Sequence, residues 1–197
     1  MKRLVFYGYM FIILTAQNSA AFGQGNVPPD GVSFAKQLIG KHLSSIKDSL
    51  RCVDTDCDTG PMKNRPLIRS FEYIKPGRNI RTIGQTTFSM AFVFTDSARV
   101  VDNVQLMTSY NKTEIPAYRE QFEKDFEEIL IYLRGVFKSR GTKKLLYKDQ
   151  NSKQSNTLWK VDGLVFTLTK DETQKTDKHS DFYVITFAVF KDNKSIN

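Results

Sequence analysis

The sequence predicts an α+β domain in which two amphipathic helices pack against an antiparallel sheet. The expected outline is helix, three strands, helix, three or four strands. Three observations predict it. Apolar residues recur every three or four positions from Phe34 to Leu50 and again from Tyr118 to Phe137. Elsewhere they recur at every second position, as on a pleated strand. Turn pairs such as Pro76-Gly77, Asp96-Ser97 and Asp162-Gly163 separate those runs.

The first helix is expected from Ser33, its N-cap, with Phe34, Leu38, His42, Ile46 and Leu50 on one stripe. An acidic loop carrying both cysteines follows, and Gly60, Pro61 and Pro66 prevent further helix. Ile68 to Ile74 reads as a strand. Pro76-Gly77 turns the chain, because Pro presets one φ and Gly tolerates a positive one. Ile80 to Thr95 contains a second strand, with Phe88, Met90, Phe92 and Phe94 on one face and Ala91 and Val93 on the other. Val100 to Tyr110 is a third, with Val104, Leu106, Thr108 and Tyr110 sharing a face.

Pro116 opens the strongest helix. Tyr118, Phe122, Phe126, Leu130, Leu133 and Phe137 form its apolar face, Glu127 and Glu128 lie on its polar face, and Gly141 is a natural left-handed stop. Leu145 to Tyr147 reads as a short strand and Asn151 to Asn156 as a polar loop. Thr157–Val161 and Leu164–Thr169 flank Asp162-Gly163, a type I′ hairpin signal. Asp171 to Asp181 is polar loop. Phe182 to Phe190 is apolar on both faces, the mark of a central strand covered on each side. The two halves therefore share one outline without a residue-level repeat.

The N-terminus sets the compartment. Lys2 and Arg3 precede the apolar run Leu4 to Ala16, and Ala21-Phe22-Gly23 offers a small-residue cleavage site. Charge, apolar core and small residues in that order make residues 1–23 a secretory signal peptide. As a helix the apolar run spans about 20 Å against roughly 30 Å of bilayer hydrocarbon, so no permanent membrane span is expected. Residues 24–32, with Pro28 and Pro29, are an extended lead-in. Residues 33–191 are expected to be a single domain and residues 192–197 a frayed polar tail. The chain has 197 residues and a net charge of +8, which becomes +6 when Lys2 and Arg3 are removed. The charges are scattered, so no strong nucleic-acid signal arises.

Cys52 and Cys57 are the only cysteines, and export favours a disulfide between them. The closed loop is small, so the bond is expected to contribute only about 2 kcal/mol. Asp54, Asp56 and Asp58 alternate as in a calcium loop and could converge on one hard cation. An EF-hand would place Gly where Thr59 stands and Glu where Arg65 stands, so any such site is a weak one. No other cofactor is implied.

Of the two histidines, His42 falls on the apolar stripe and His179 in a polar loop; both would have to meet to act as an acid–base pair. Trp159 is expected in the core, and Asn111-Lys112-Thr113 is a glycosylation sequon. No nucleophile elbow, zinc-protease motif or phosphate-binding glycine loop is present. These features point to an exported, non-catalytic binding protein, of an inhibitor or immunity kind, whose partner is a protein or an envelope component. The alternative is a secreted or periplasmic hydrolase whose site the fold assembles.

The mature form is directly measurable. N-terminal sequencing of exported protein should begin at or near Gln24, and its intact mass should rise by two hydrogens on reduction. A mature chain that keeps Lys2 and Arg3 would make the segment an anchor.

Overall fold

A computed structural model describes residues 30–52, 69–73, 81–111, 117–174 and 181–192. The expected signal peptide, the lead-in up to residue 29, the Pro76-Gly77 turn, Pro116 and residues 193–197 lie outside these. Helix α1 (Gly31–Leu38) and two 3₁₀ turns (Leu43–Ser45, Lys47–Ser49) precede β1 (Leu50–Cys52), β2 (Arg69–Tyr73), β3 (Arg81–Ile83), β4 (Thr86–Phe88), β5 (Met90–Thr95) and β6 (Val101–Tyr110). Helix α2 (Tyr118–Phe137) follows, then β7 (Thr142–Lys148), β8 (Ser152–Val161), β9 (Leu164–Thr173) and β10 (Phe182–Lys191).

Eight strands form one antiparallel sheet in the order β1-β2-β5-β6-β10-β9-β8-β7, and β3 and β4 form a separate hairpin. The α+β class is as expected, but the outline is not. Among the described residues six strands, rather than three, separate the helices. Each helix is followed by four strands of the main sheet, and the last strands of the two halves, β6 and β10, pair at the centre.

The first helix is shorter than its stripe predicts and starts earlier. Asp30, not Ser33, caps it, accepting from the Val32 and Ser33 amides. It ends because Gly40 turns at φ 83° and the next backbone groups bond elsewhere. Gly40 N donates to Val101 O, Val101 N to Lys41 O, and Leu43 N to Arg99 O, at 2.8–2.9 Å. Three bonds to the start of β6 thus replace the next helical turn.

Where one strand is expected within Ile80–Thr95, the described residues 81–95 hold three. Gly84 (φ 61°) makes a tight turn after β3, as a first central hairpin residue with positive φ requires, and places Ile83 and Phe88 in the core. Phe88 therefore does not share a face with Met90, Phe92 and Phe94. The loops expected at Asn151–Asn156 and Asp171–Asp181 are shorter, because β8 starts at Ser152 and β9 runs on to Thr173. The stretch is polar, yet Ser155 and Thr157 are buried. The Asp162-Gly163 turn is as expected, with φ of 53° and 72°.

Helix α2 buries most of the expected face, with Ile129 added: Tyr118, Phe122, Phe126, Ile129, Leu130 and Leu133 are buried, while Phe137 at the last turn is half-buried. It stops earlier than expected, at Lys138, which takes the left-handed conformation (φ 49°). Gly141 (φ 70°) instead lets the chain pass Trp159, whose ring would lie 2.7 Å from a Cβ placed there. Trp159 is buried, as expected, and its Nε1 donates to Ser139 O at 3.1 Å.

Phe122 sits at the centre of the core, edge-on to Tyr110 and Tyr183 at 5.5 and 5.1 Å. Phe122→Ala should cost about 3–5 kcal/mol through lost transfer energy and a residual cavity. Glu127→Ala, on the exposed side, should stay within about 0.5 kcal/mol of the parent. Urea denaturation midpoints check both; equal effects would mean that α2 is rotated about its axis.

Candidate functional site

Both helices and the β3–β4 hairpin pack on one face of the main sheet. The buried cluster takes Val104, Leu106 and Tyr110 from β6, Tyr183, Ile185, Phe187 and Val189 from β10, and Phe166 and Leu168 from β9. The alternate residues of the same strands point the other way. Strand β10 is thus central, as its apolar pattern predicts, but helices cover it on one side only among the described residues.

The register defines this second face. One row runs Phe92, Gln105, Ala188, Thr167, Leu158 from β5 to β8. The next runs Met90, Met107, Thr186, Thr169, Asn156. On the far side, Phe94 and Phe190 flank Asn103. The floor is short: Ala188 and Thr167 are buried, while Phe92, Met107, Leu158 and Phe190 are half-buried. From β5 to β8 those rows hold no charged residue; Glu72 of β2 continues the first at one end and Lys144 of β7 the second at the other. Further along the face, Asp171 accepts from Gln154 Nε2 at 2.8 Å. Asn103 Oδ1 and Asn156 Oδ1 are buried and accept no hydrogen bond from the described residues. Each such unpaired acceptor costs about 1–3 kcal/mol.

A polar and aromatic seam runs under the first turns of α2. The Tyr118 hydroxyl donates to Asp181, and Arg119 donates from Nε to Tyr118 Oη and from Nη2 to Asp181, each at 3.0 Å. The guanidinium also lies over the Tyr118 and Tyr183 rings. Tyr110 Oη donates to Asp125 Oδ2 at 2.7 Å, and Gln121 Nε2 to Asp125 Oδ1 at 2.6 Å. Lys170, from β9, reaches Glu123 at 2.6 Å and Glu172 at 3.5 Å with its ammonium over the Phe122 and Phe126 rings. Burial, then the Asp125 hydrogen bond and charge, push the Tyr110 phenol far above its ordinary value. The Tyr118 phenol is raised mainly by its hydrogen bond to Asp181. The seam ties α2 to β6, β9 and β10.

The residues singled out from the sequence are scattered. Cys52 ends β1; Cys57, Asp54, Asp56 and Asp58 lie outside the described residues, as does His179. His42 is not packed on a helix stripe. It is exposed, and its Nδ1 accepts from the Ser44 amide at 3.3 Å to cap a 3₁₀ turn. Glu127 is exposed on α2, as expected. The open face was missed because Phe92, Phe94 and Phe190 read as core in a strand apolar on both sides. No helix among the described residues is long and apolar enough to cross a membrane. No protein-family model, curated protein or solved structure matches the chain.

The seam has an alkaline signature. A phenol whose folded pKa lies above its unfolded value stabilises the fold fully below the unfolded value, about 10, and loses that contribution as pH rises through the folded one. Denaturation midpoints should therefore fall above about pH 10. Tyr110→Phe should flatten that fall, since Tyr110 carries the largest displacement. An identical alkaline limb in the variant would place the sensitivity elsewhere.

Proposed function

We propose that the chain is an exported binding protein that engages another protein through the face of its sheet opposite the helices. The observation that carries this reading is the composition of that face. Phe92, Phe94, Met90, Met107 and Phe190 surround short and amide side chains, and between β5 and β8 the two central rows hold no charge, with Glu72 and Lys144 only at their ends. Enrichment in aromatic residues and Met with depletion of charge is the pattern of a protein interface core. Large side chains around a short floor offer the partner pockets for its own anchors. The signal-peptide pattern supports export, and an inhibitor or immunity protein is the kind of non-catalytic protein that uses such a face.

A photo-crosslinking amino acid placed at Phe92, Phe190 or Glu127 tests the proposal in producing cells. Positions 92 and 190 should yield the same discrete protein adduct, identifiable by mass spectrometry, and position 127 on the opposite side should not. Adducts of equal yield from all three positions, or from position 127 alone, would overturn it.

A further inference from the structure

Among the described residues strand β7 ends the main sheet and pairs only with β8, leaving one side of its backbone without a strand partner there. All seven of its residues are exposed. A long edge of this kind is a template for another strand, and proteins commonly blunt such edges with lysine. Strand β7 carries Lys143, Lys144 and Lys148, but it also exposes Leu145, Leu146 and Tyr147 at 54, 44 and 53%. A purely blunted edge has no need of the second set.

The charge here is uncompensated. From Lys138 to Lys148 the chain holds five cations and no carboxylate, and none of Lys138, Arg140, Lys143, Lys144 and Lys148 makes an ion pair among the described residues. The next acid, Asp149, is occupied by the Tyr147 hydroxyl and the Asn151 and Ser152 amides. The register sets where the charges lie. Lys144 pairs with Asn156 on the open face, and Lys143 and Lys148 pair with Thr157 and Lys153 on the other. A ligand lying flat on either face meets only part of this charge. One lying along the edge, in the plane of the sheet, meets all of it together with Leu145, Leu146 and Tyr147.

We propose that β7 accepts an extended, acidic segment of another polypeptide as a ninth strand. Main-chain hydrogen bonds to the free edge supply affinity, and carboxylates opposite the lysines supply selection. The same charges exclude the obvious competitor, because two β7 edges brought together would set lysines against lysines. This site is separate from the open face and does not rest on it.

The test uses NMR of the full 15N-labelled mature chain. The probe is the blocked hexapeptide Glu-Glu-Val-Val-Glu-Glu, which as a strand carries carboxylates on both faces. Its amide shifts should concentrate at residues 142–148, where hydrogen exchange should also slow. A fully N-methylated probe keeps the charge and donates no backbone hydrogen bond, and it should bind about tenfold or more weakly. The K143E/K144E/K148E variant should lose binding by a similar factor while its thermal midpoint stays within a few degrees, since these exposed side chains make no ion pair among the described residues. Wild-type protein that shows no shift, or shifts centred elsewhere, would overturn the proposal. So would undiminished binding of the N-methylated probe, or a thymidine oligonucleotide or anionic phosphatidylglycerol vesicle that binds more tightly than the peptide, which would assign the edge to polyanions.

Discussion

The pairing of β10 with β6 is the constraint on which the rest of the structure depends. Each half of the chain supplies a helix and four sheet strands, and each half alone would end in an unpaired strand. Pairing Tyr183–Phe190 with β6, and Phe182–Lys191 with β9, removes both edges at once. It also delivers Tyr183, Ile185, Phe187 and Val189 to the core beneath the helices. The strands involved are far apart in sequence, so the chain must close a long loop before this pairing contributes.

Joining the halves in this way makes the protein one-sided. Helices α1 and α2 bury one face of the sheet, and the seam of Lys170, Asp125 and Asp181 fastens the start of α2 to β6, β9 and β10. Lys170 is held at 13% exposure between carboxylates and aromatic rings. Such a side chain is costly to bury unless paired, so the seam helps set where α2 sits. The opposite face is left to short, amide and aromatic side chains. What stabilises the domain and what is available for binding are thereby separated by the alternation of each strand.

Periodicity made some of this legible. The face of α2 from Tyr118 to Leu133, the core side of β6 and the Asp162-Gly163 turn follow directly from spacing and turn chemistry. The first helix misled because its four-residue stripe continues past Gly40, where backbone bonds to β6 win over helical propensity. Ser152 to Asn156 misled because hydrogen-bonded sheet can bury Ser155 and Thr157 without an apolar pattern. The open face was hidden for the opposite reason. Phe92 and Phe94 alternate with Ala91 and Val93, both sets apolar, and alternation alone cannot say which one faces the helices. The basic edge was missed because five cations interrupted by Leu145, Leu146 and Tyr147 do not read as a charge run until the strand is placed at the end of the sheet.

Native-state hydrogen exchange at increasing urea tests the central pairing most directly. If β6 and β10 join the halves into one cooperative unit, their amides should exchange last and together, at the free energy of global unfolding, with β5 and β9 close behind and the β1 and β7 edges exchanging first. Two plateaus, with β5–β6 opening at one free energy and β9–β10 at another, would show that each half stands alone and would contradict the account.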